Sequence, residues 1–556
     1  MPWLSSFLHK VENADRSALP AALALAVVAG LCAVFAAPAF DFWPLGYVVM
    51  VPLLWLVERA PTRRRAMLYC WVTGFVANVG ALYWMSSLFT RYAAMPLALA
   101  LGAVIALATY HGVVFALFAL IVRRIREVST EARGRPLPMV LLAPLTMVAC
   151  ELCVPFIFPW YLGVTQVWVT PVIQVAELAG PMGVTAVVCA VGGAIYDVII
   201  EDDRRRKLVY GLSGAGVLLA VVVFGYVRMH QVDKRRAAAP KLNVGVVQGN
   251  FPLDDPDRTY QSDLLKLDEL QRVSRDLEKR GAHLIVWSEA IFPFPIERVD
   301  GDCEGDRCTY GKDFPNRSAG RVRKGFSAPL IFGAITNWQA EPERTPYNSA
   351  LMLDGNDQFV GRYDKNYLLI GSEYIPGIKT FPWLMDILPQ GAGHFSAGDR
   401  VVTFPFRHKG KEYRLGPLIC YEDILAKFTR KIGKLHPHLL VNITNDTWFG
   451  DTAEPHQHLA LSVFRSVEMR TDMVRAVNTG LSAFIDANGR VIKQSYVIDP
   501  DKTKRGADGF IGEVALMAGG YTVYAAVGDL FAYICLLVIL GLWQVWPRVR
   551  RRRAKS

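Results

Sequence analysis

Apolar runs long enough to cross a bilayer recur along this chain, and they restrict its fold more than any other feature. A spanning helix needs about 20 mostly apolar residues. Residues 19–37, 67–89, 95–122, 138–157, 181–200 and 208–228 supply such runs, with a shorter one at 43–57 and a last one at 521–546. Backbone in hydrocarbon must satisfy its own hydrogen bonds, so these runs predict helices. Composition points the same way, with 52% hydrophobic residues and a mean hydropathy of +0.24 over 556 residues. The first run follows Lys10 and Arg16 and has the outline of a signal peptide. Further runs follow at once, which favours an uncleaved first helix.

The net charge of +11 is gathered into clusters beside the apolar runs, which favours membrane topology over nucleic acid. Arg59 and Arg63 to Arg65 follow the second run; Arg123, Arg124, Arg126, Arg133 and Arg135 follow the fourth. Arg204 to Lys207 follow the sixth, and Arg548 to Arg553 with Lys555 follow the last. The alternate loops around Ala39 and from Phe158 to Gly180 carry no Lys or Arg, and the loop at Thr90-Arg91 carries one. The expected layout is a cytoplasmic stretch at 1–18, about seven helices over 19–229, an extracytoplasmic domain at 230–520, a final helix at 521–546 and a basic cytoplasmic tail at 547–556. Arg228, Lys234, Arg235 and Arg236 fall on the wrong side of this scheme, where anionic headgroups could receive them. The aromatic loop from Phe158 to Trp168 reads as an interfacial anchor or a lateral entrance for lipid.

From Lys241 to about Gly519 the pattern changes to short strand-like runs, turns and amphipathic helices. Strands are expected at 242–248, 283–287, 330–334, 349–353, 415–419 and 439–444. Helices are expected at 260–279, with Leu264, Leu265, Leu267, Leu270, Val273 and Leu277 on one stripe, and at about 456–472. Ala487-Asn488-Gly489-Arg490 joins two short runs as a hairpin. Strands alternating with helices fit a layered α/β domain. Nine cysteines are too few for a disulfide scaffold. Cys150 and Cys153 lack a second pair at zinc-ligand spacing and read as helix-packing residues, so no metal is expected. Cys303 and Cys308 are close enough in a loop to form a disulfide if that loop faces an oxidising compartment.

Three of the strand-like runs end in reactive side chains. Leu284-Ile285-Val286-Trp287-Ser288 leads to Glu289, Tyr363-Asp364 to Lys365, and Leu418-Ile419 to Cys420-Tyr421-Glu422. Singly, each has a plain structural reading: an exposed acid, a surface cation, a buried thiol. A Cys-His pair is a second chemical reading, with His394, His436, His438, His456 and His458 available in space.

Together, Glu289, Lys365 and Cys420 resemble the Glu-Lys-Cys triad of the nitrilase (carbon–nitrogen hydrolase) superfamily. The whole layout resembles the bacterial apolipoprotein N-acyltransferase family. The motifs carrying that likeness are Val246-Val247-Gln248-Gly249-Asn250, Val286-Trp287-Ser288-Glu289, Tyr347-Asn348-Ser349, Tyr363-Asp364-Lys365, Ile419-Cys420-Tyr421-Glu422, Asn445-Asp446-Thr447-Trp448-Phe449-Gly450 and Arg475-Ala476-Val477-Asn478-Thr479-Gly480. Ile370-Gly371-Ser372-Glu373-Tyr374 departs from the family's usual Pro-Phe-Gly-Glu-Tyr, and no tryptophan follows the Gln248-Gly249-Asn250 stretch.

The resemblance implies about eight transmembrane helices with an inserted αββα sandwich. It implies acyl transfer from a phospholipid to the α-amino group of the N-terminal diacylglyceryl-cysteine of a lipoprotein, at the bacterial inner membrane and without a cofactor. Glu289 is then the base, Lys365 the charge stabiliser and Cys420 the nucleophile, with the Tyr421 N–H and Lys365 receiving the oxyanion. Glu373, Tyr421, Glu422, Asn348 and Trp448 are supporting residues. The alternatives are a membrane-anchored amidase of the same superfamily and a non-enzymatic transporter or scaffold.

Overall fold

The computed structural model describes residues 19–91, 95–252, 258–298, 322–338, 346–370, 372–374, 380, 395–503 and 505–553, with side chains to 544. Its residues fall into two compact units. One is drawn from Met1–Ser86, Leu97–Met229 and Val527–Ser556, the other from Ser87–Pro96 and His230–Ala526. Cys303 and Cys308 lie outside the described residues.

The first unit is helical. Its elements include α1 (Leu19–Ala36), α2 (Met50–Arg59), α3 (Arg63–Leu82), α4 (Met85–Arg91, whose end belongs to the second unit), α5 (Leu97–Arg133), α6 (Met139–Cys153), α7 (Ala176–Ile200) and the start of α8 (Arg204–Ala238). Helices α1, α5, α7 and α8 are each long and apolar enough to cross a membrane, and α3 with α4 forms a pair bent by 50°. The run at 67–89 is therefore broken near Tyr83 rather than continuous. The run expected from residue 181 starts earlier, at Ala176, and is interrupted at Gly180. That residue takes a positive φ of 65° just before Pro181, which has no N–H to continue the ladder. Small residues let the helices approach, as membrane packing requires. A Cβ on Gly74 would sit 2.9 Å from Gly112 Cα.

The aromatic loop after α6 folds back on this unit. Phe158 is buried edge-on to Trp84 at 5.2 Å, and Trp168 Nε1 donates to Asp41 at 2.6 Å. Two of the misplaced basic residues also have internal partners. Arg228 Nε donates to Glu177 at 2.6 Å within the first unit, and Arg236 grips Asp472 with two bonds of 2.8 Å within the second. Neither arginine is therefore a simple marker of membrane side.

The second unit contains two sheets. The larger has the order β13-β1-β2-β4-β5-β6, with β3 also on β4. Its strands are β1 (Lys241–Gln248), β2 (Leu284–Trp287), β3 (Ile296–Arg298), β4 (Leu330–Trp338), β5 (Pro346–Leu353), β6 (Phe359–Asp364) and β13 (Asp508–Ala515). The smaller has the order β12-β11-β10-β9-β8-β7. It uses β7 (Phe404–His408), β8 (Lys411–Ile419), β9 (Leu439–Thr444), β10 (Met473–Val477), β11 (Ala483–Ile485) and β12 (Val491–Gln494). The central neighbours β1/β2/β4 and β8/β9/β10 run parallel, and antiparallel strands flank them. The sheets meet where Phe484 of β11 packs edge-on against Phe510 of β13 at 5.4 Å.

Helix α9 (Tyr260–Lys279) starts at Thr259, whose hydroxyl and that of Ser262 cap each other's backbone. Its Leu267, Leu270, Val273 and Leu277 bury against Ile285, Trp287 and Leu330. Leu265, expected on that stripe, is exposed, because it lies two residues, or about 200° of turn, from Leu267. Helix α10 (Ala426–Gly433) follows the Cys420 turn, and α11 (Glu454–Met469) lies almost wholly buried. The hairpin between β11 and β12 closes at Gly489, with a φ of 80° and its N–H on the Asp486 carbonyl at 2.8 Å.

Asp472 is buried, and besides Arg236 it accepts from the Ala487 and Ala515 amides, both at 2.9 Å. Removing one partner of a buried ion pair strands the other charge. Arg236→Ala is expected to destabilise the folded chain by about 3 kcal/mol. Thermal unfolding of the purified full chain checks this, and an unchanged midpoint contradicts it.

Candidate active site

The backbone first brings the reactive ends together. In a layered α/β fold, ligands gather at the carboxyl ends of parallel strands. Glu289 lies two residues beyond β2, Lys365 follows β6, and Cys420 follows β8. The turn carrying Glu289 needs a glycine beside it. A Cβ on Gly333 of β4 would lie 2.4 Å from the Ala290 nitrogen and 2.7 Å from Glu289 Cα. Gly333 N–H also donates to the Ser288 carbonyl at 3.2 Å, fixing that close approach.

Lys365 is buried between two carboxylates. Its Nζ lies 3.2 Å from Glu289 Oε1 and 2.7 Å from Glu373 Oε2. Asn348 spans the same two acids, its Nδ2 donating to Glu289 Oε1 at 2.7 Å and to Glu373 Oε1 at 3.0 Å. The Lys365 N–H donates to the Asn348 carbonyl at 2.8 Å, so lysine and amide are positioned by one contact between chain segments. Glu289 Oε2 has no hydrogen-bond partner among the described residues.

Cys420 opens a one-turn helix, Cys420–Ile424, with a φ of 50°. A non-glycine residue in that region is strained and persists only where its surroundings fix it. Glu422 supplies the fixing. Its Oε2 accepts the Ile419 N–H at 2.9 Å, on one side of Cys420. Its Oε1 accepts the Asn366 N–H at 2.7 Å, the Tyr367 N–H at 3.1 Å and the Tyr363 hydroxyl at 2.6 Å, on both sides of Lys365. One carboxylate thus clamps the nucleophile's turn to the lysine's turn. Burial pushes the pKa of Glu422 up to about 7 against these donors.

The electrostatics favour a neutral thiol at rest. Burial and then the Glu289 charge push Cys420 well above the ordinary thiol range, with Lys365 opposing them. Burial raises Glu289 too, while Lys365 pulls it down and Glu373 pushes it up. Lys365 stays protonated: burial works against its charge, but Glu289 and Glu373 outweigh burial. Tyr421, next to the cysteine, is raised to about 12 by burial. Trp448 sits half-buried on the short turn Asp446–Phe449, after β9 and beside the β8 end.

None of the described histidines hydrogen-bonds Cys420. His436 Nδ1 meets the Gly519 carbonyl at 3.0 Å, and His438 Nδ1 accepts the Arg414 N–H at 3.1 Å. His456 is exposed, and His394 lies outside the described residues. His458 belongs to a buried cluster that the sequence reading did not single out. Its Nε2 meets Asp423 at 2.9 Å and its Nδ1 meets Asp446 at 3.0 Å. Arg475 pairs with both of those acids. Burial and Arg475 oppose a charge on His458, but Asp423 and Asp446 outweigh them and keep it protonated. Asp446, Glu454 and His458 place ligand atoms within 4.8 Å of one another, a spacing that suits a metal. With both ring nitrogens donating to carboxylates, however, His458 has no lone pair to offer one. The cluster is an ion-pair network tying the Cys420 turn to the Trp448 turn and to β10. The run Glu454-Pro455-His456-Gln457-His458 at the start of a buried helix was the available sequence signal.

Two sheets with parallel centres and reactive groups at the strand ends define a carbon–nitrogen hydrolase domain of the nitrilase type. Residues 244–501 match the sequence profile of that family, carbon-nitrogen hydrolase, and residues 29–194 match the apolipoprotein N-acyltransferase N-terminal domain. The apolipoprotein N-acyltransferase of Geobacter metallireducens is 30% identical over 92% of this chain and 92% of its own length. That of Haemophilus influenzae is 27% identical over 95% of each. Among solved structures, Saccharomyces cerevisiae Nit3, of branch 10 of the nitrilase superfamily, is similar at 13% identity with a TM-score of 0.35, over 50% of this chain and 90% of that one. The chain belongs to the apolipoprotein N-acyltransferase family, and is an acyltransferase with several apolar helices ahead of a nitrilase-like domain.

Proposed function

We propose that the chain moves a fatty acyl group from a membrane phospholipid to the α-amino group of the N-terminal diacylglyceryl-cysteine of a lipoprotein, through a thioester on Cys420. The observation that carries this reading is Lys365 held between Glu289 and Glu373 at strand ends beside the Cys420 turn. Cys420 Sγ attacks the ester carbonyl as Glu289 takes the thiol proton, so one negative charge moves from Glu289 to sulfur and on to the carbonyl oxygen. Lys365 and the Tyr421 N–H receive that oxyanion. The carbon–oxygen bond then breaks, Glu289 returns its proton to the departing lyso-lipid oxygen, and the acyl-cysteine remains. In the second half the neutral amine attacks the thioester and Glu289 takes its proton. The carbon–sulfur bond breaks, and the proton passes back to sulfur. Asn348 and Glu373 hold Glu289 and Lys365 in place, Glu422 holds the two turns together, and Trp448 flanks the cysteine's strand end. The chemistry calls for no cofactor.

The proposed setting is the bacterial inner membrane, with both termini cytoplasmic and residues 230–520 in the periplasm. Eight spans are obtained by counting α1, the segment 44–59, α3 with α4, α5, α6, α7, α8 and the closing α12 (Leu530–Arg553). The alternation of basic and non-basic loops supports the sidedness, as does the use of Arg228 and Arg236 in internal ion pairs. A reporter active only in the cytoplasm, fused after Gly398, is expected to stay silent; activity there reverses the assignment.

Mass spectrometry of the chain given phospholipid alone is expected to show an acyl adduct on Cys420. Cys420→Ser should lose nearly all transfer, and Glu289→Gln should slow acyl loading by about 10²–10⁴-fold. Absence of any adduct on the unaltered chain, with intersecting double-reciprocal lines, replaces the thioester with direct transfer. A pH profile tests the base. Glu289 must be ionised to accept the thiol proton, so loading falls as pH drops through its pKa, which burial holds above the usual carboxylate value. Glu373→Gln removes a neighbouring negative charge and leaves Lys365 to Glu289 alone. Both changes favour ionised Glu289, so the acid limb should move to lower pH. A limb that stays put or moves up contradicts Glu289 as the base.

A further inference from the structure

Among its described residues the helical unit buries three acids, Glu151, Glu177 and Asp197. A charge placed inside a membrane bundle ordinarily pairs with another charge, and one that does not marks a functional site. Glu177 has Arg228 at 2.6 Å. Asp197 has Arg126 at 4.0 Å and the Val140 N–H at 2.9 Å. Glu151, near the end of α6, has no basic partner among the described residues. Its Oε1 accepts the Leu162 N–H at 2.8 Å, the Thr185 hydroxyl also lies against the carboxylate, and its Oε2 meets the geometry of a hydrogen bond with none of them.

Glu151 lines a cavity lying wholly within this unit. Asn78, His111, Phe156, Trp160 and Tyr161 line it as well. The protonation of His111 follows from its neighbour. Asn78 Nδ2 donates to the Gly74 carbonyl at 2.8 Å, which turns its Oδ1 toward His111 Nδ1 at 3.3 Å. An amide oxygen only accepts, so Nδ1 carries a proton, and in the neutral imidazole Nε2 is then the acceptor. His111 Nε2 is buried and also has no partner among the described residues. The walls are aromatic: the Phe156 ring sits edge-on to His111 at 5.1 Å and to Tyr161 at 5.6 Å. Two unmatched acceptors, one of them a carboxylate, among aromatic rings call for a cation with N–H groups. Ring faces attract such a cation further.

We propose that this cavity binds an alkylammonium group, with Glu151 as its counter-ion, His111 Nε2 as second acceptor and Phe156, Trp160 and Tyr161 around it. Either a lipid headgroup or a small free amine can present that group, and the two are separable. The full chain carrying Cys420→Ala, which cannot turn over, is placed in nanodiscs of phosphatidylethanolamine or of phosphatidylglycerol with the same acyl chains. Lipid retained after extraction is counted by native mass spectrometry. The expected result is at least a tenfold preference for phosphatidylethanolamine, lost in Glu151→Gln and kept in Glu151→Asp. If the source is a free amine, retention shows no preference, and ethylamine raises the melting temperature of the parent in phosphatidylglycerol discs but not that of Glu151→Gln. Equal retention of the two lipids together with no effect of ethylamine on the parent overturns the proposal, even if no variant folds. So does a Glu151→Gln protein that responds as the parent does. The measurement reads retention and stability, so it stands or falls apart from the chemistry at Cys420.

Discussion

The active centre depends on one buried cation shared by two acids. An ammonium taken out of water costs several kcal/mol unless close charges and hydrogen bonds replace its hydration. Glu289 and Glu373 both supply those charges to Lys365, and Asn348 ties the acids to each other. The three ionised groups sum to a single negative charge, which is the right balance for accepting one proton from a neutral thiol. A lone Lys-Glu pair would neutralise itself and leave Glu289 a weaker base. The second acid therefore keeps Glu289 basic while anchoring the lysine that steadies the oxyanion.

Glu422 provides the mechanical counterpart. Its four accepted hydrogen bonds reach backbone beside both Cys420 and Lys365, so neither turn shifts without breaking a contact to a buried carboxylate. Such an acid is costly to bury, and the cost is offset by holding a strained cysteine against its lysine. The ion pairs of Asp423, His458, Asp446 and Arg475 do comparable work on the same turn. Rigidity at Cys420 thus comes from polar groups around a backbone that alone would relax out of a positive φ.

The helical unit follows the same rule of pairing buried charge, and its exception is what draws attention. Glu177 and Asp197 are matched by arginines, and Tyr196 donates to Glu58 at 2.7 Å beside Arg126. Small residues bring the helices close enough for these contacts. Among the described residues, Glu151 is the one of these three acids without a basic partner, and it lies where a histidine and aromatic rings border empty space.

By itself the sequence determined the apolar helices, the change to α/β character near Lys241 and the strand ends carrying Glu289, Lys365 and Cys420. These features are local: apolar length, periodicity of two or of 3.6, and a reactive residue closing an apolar run. The hairpin at Asn488-Gly489 was legible for the same reason, since a positive φ suits glycine. Strands β7 and β13 were not legible. β13 gains its place by pairing with β1 across some 260 residues, and β7 by antiparallel pairing with its neighbour β8. The bend between α3 and α4 and the exposure of Leu265 were likewise set by packing that no local pattern encodes. Tertiary structure alone decided that Glu373 shares Lys365 and Asn348 with Glu289, that Glu422 reaches two turns, and that Asp423, Asp446, His458 and Arg475 meet. Each of these depends on side chains converging from separate strands, where close approach and desolvation fix charge. A linear order of residues lists the groups, and only the fold settles which charges share a dielectric.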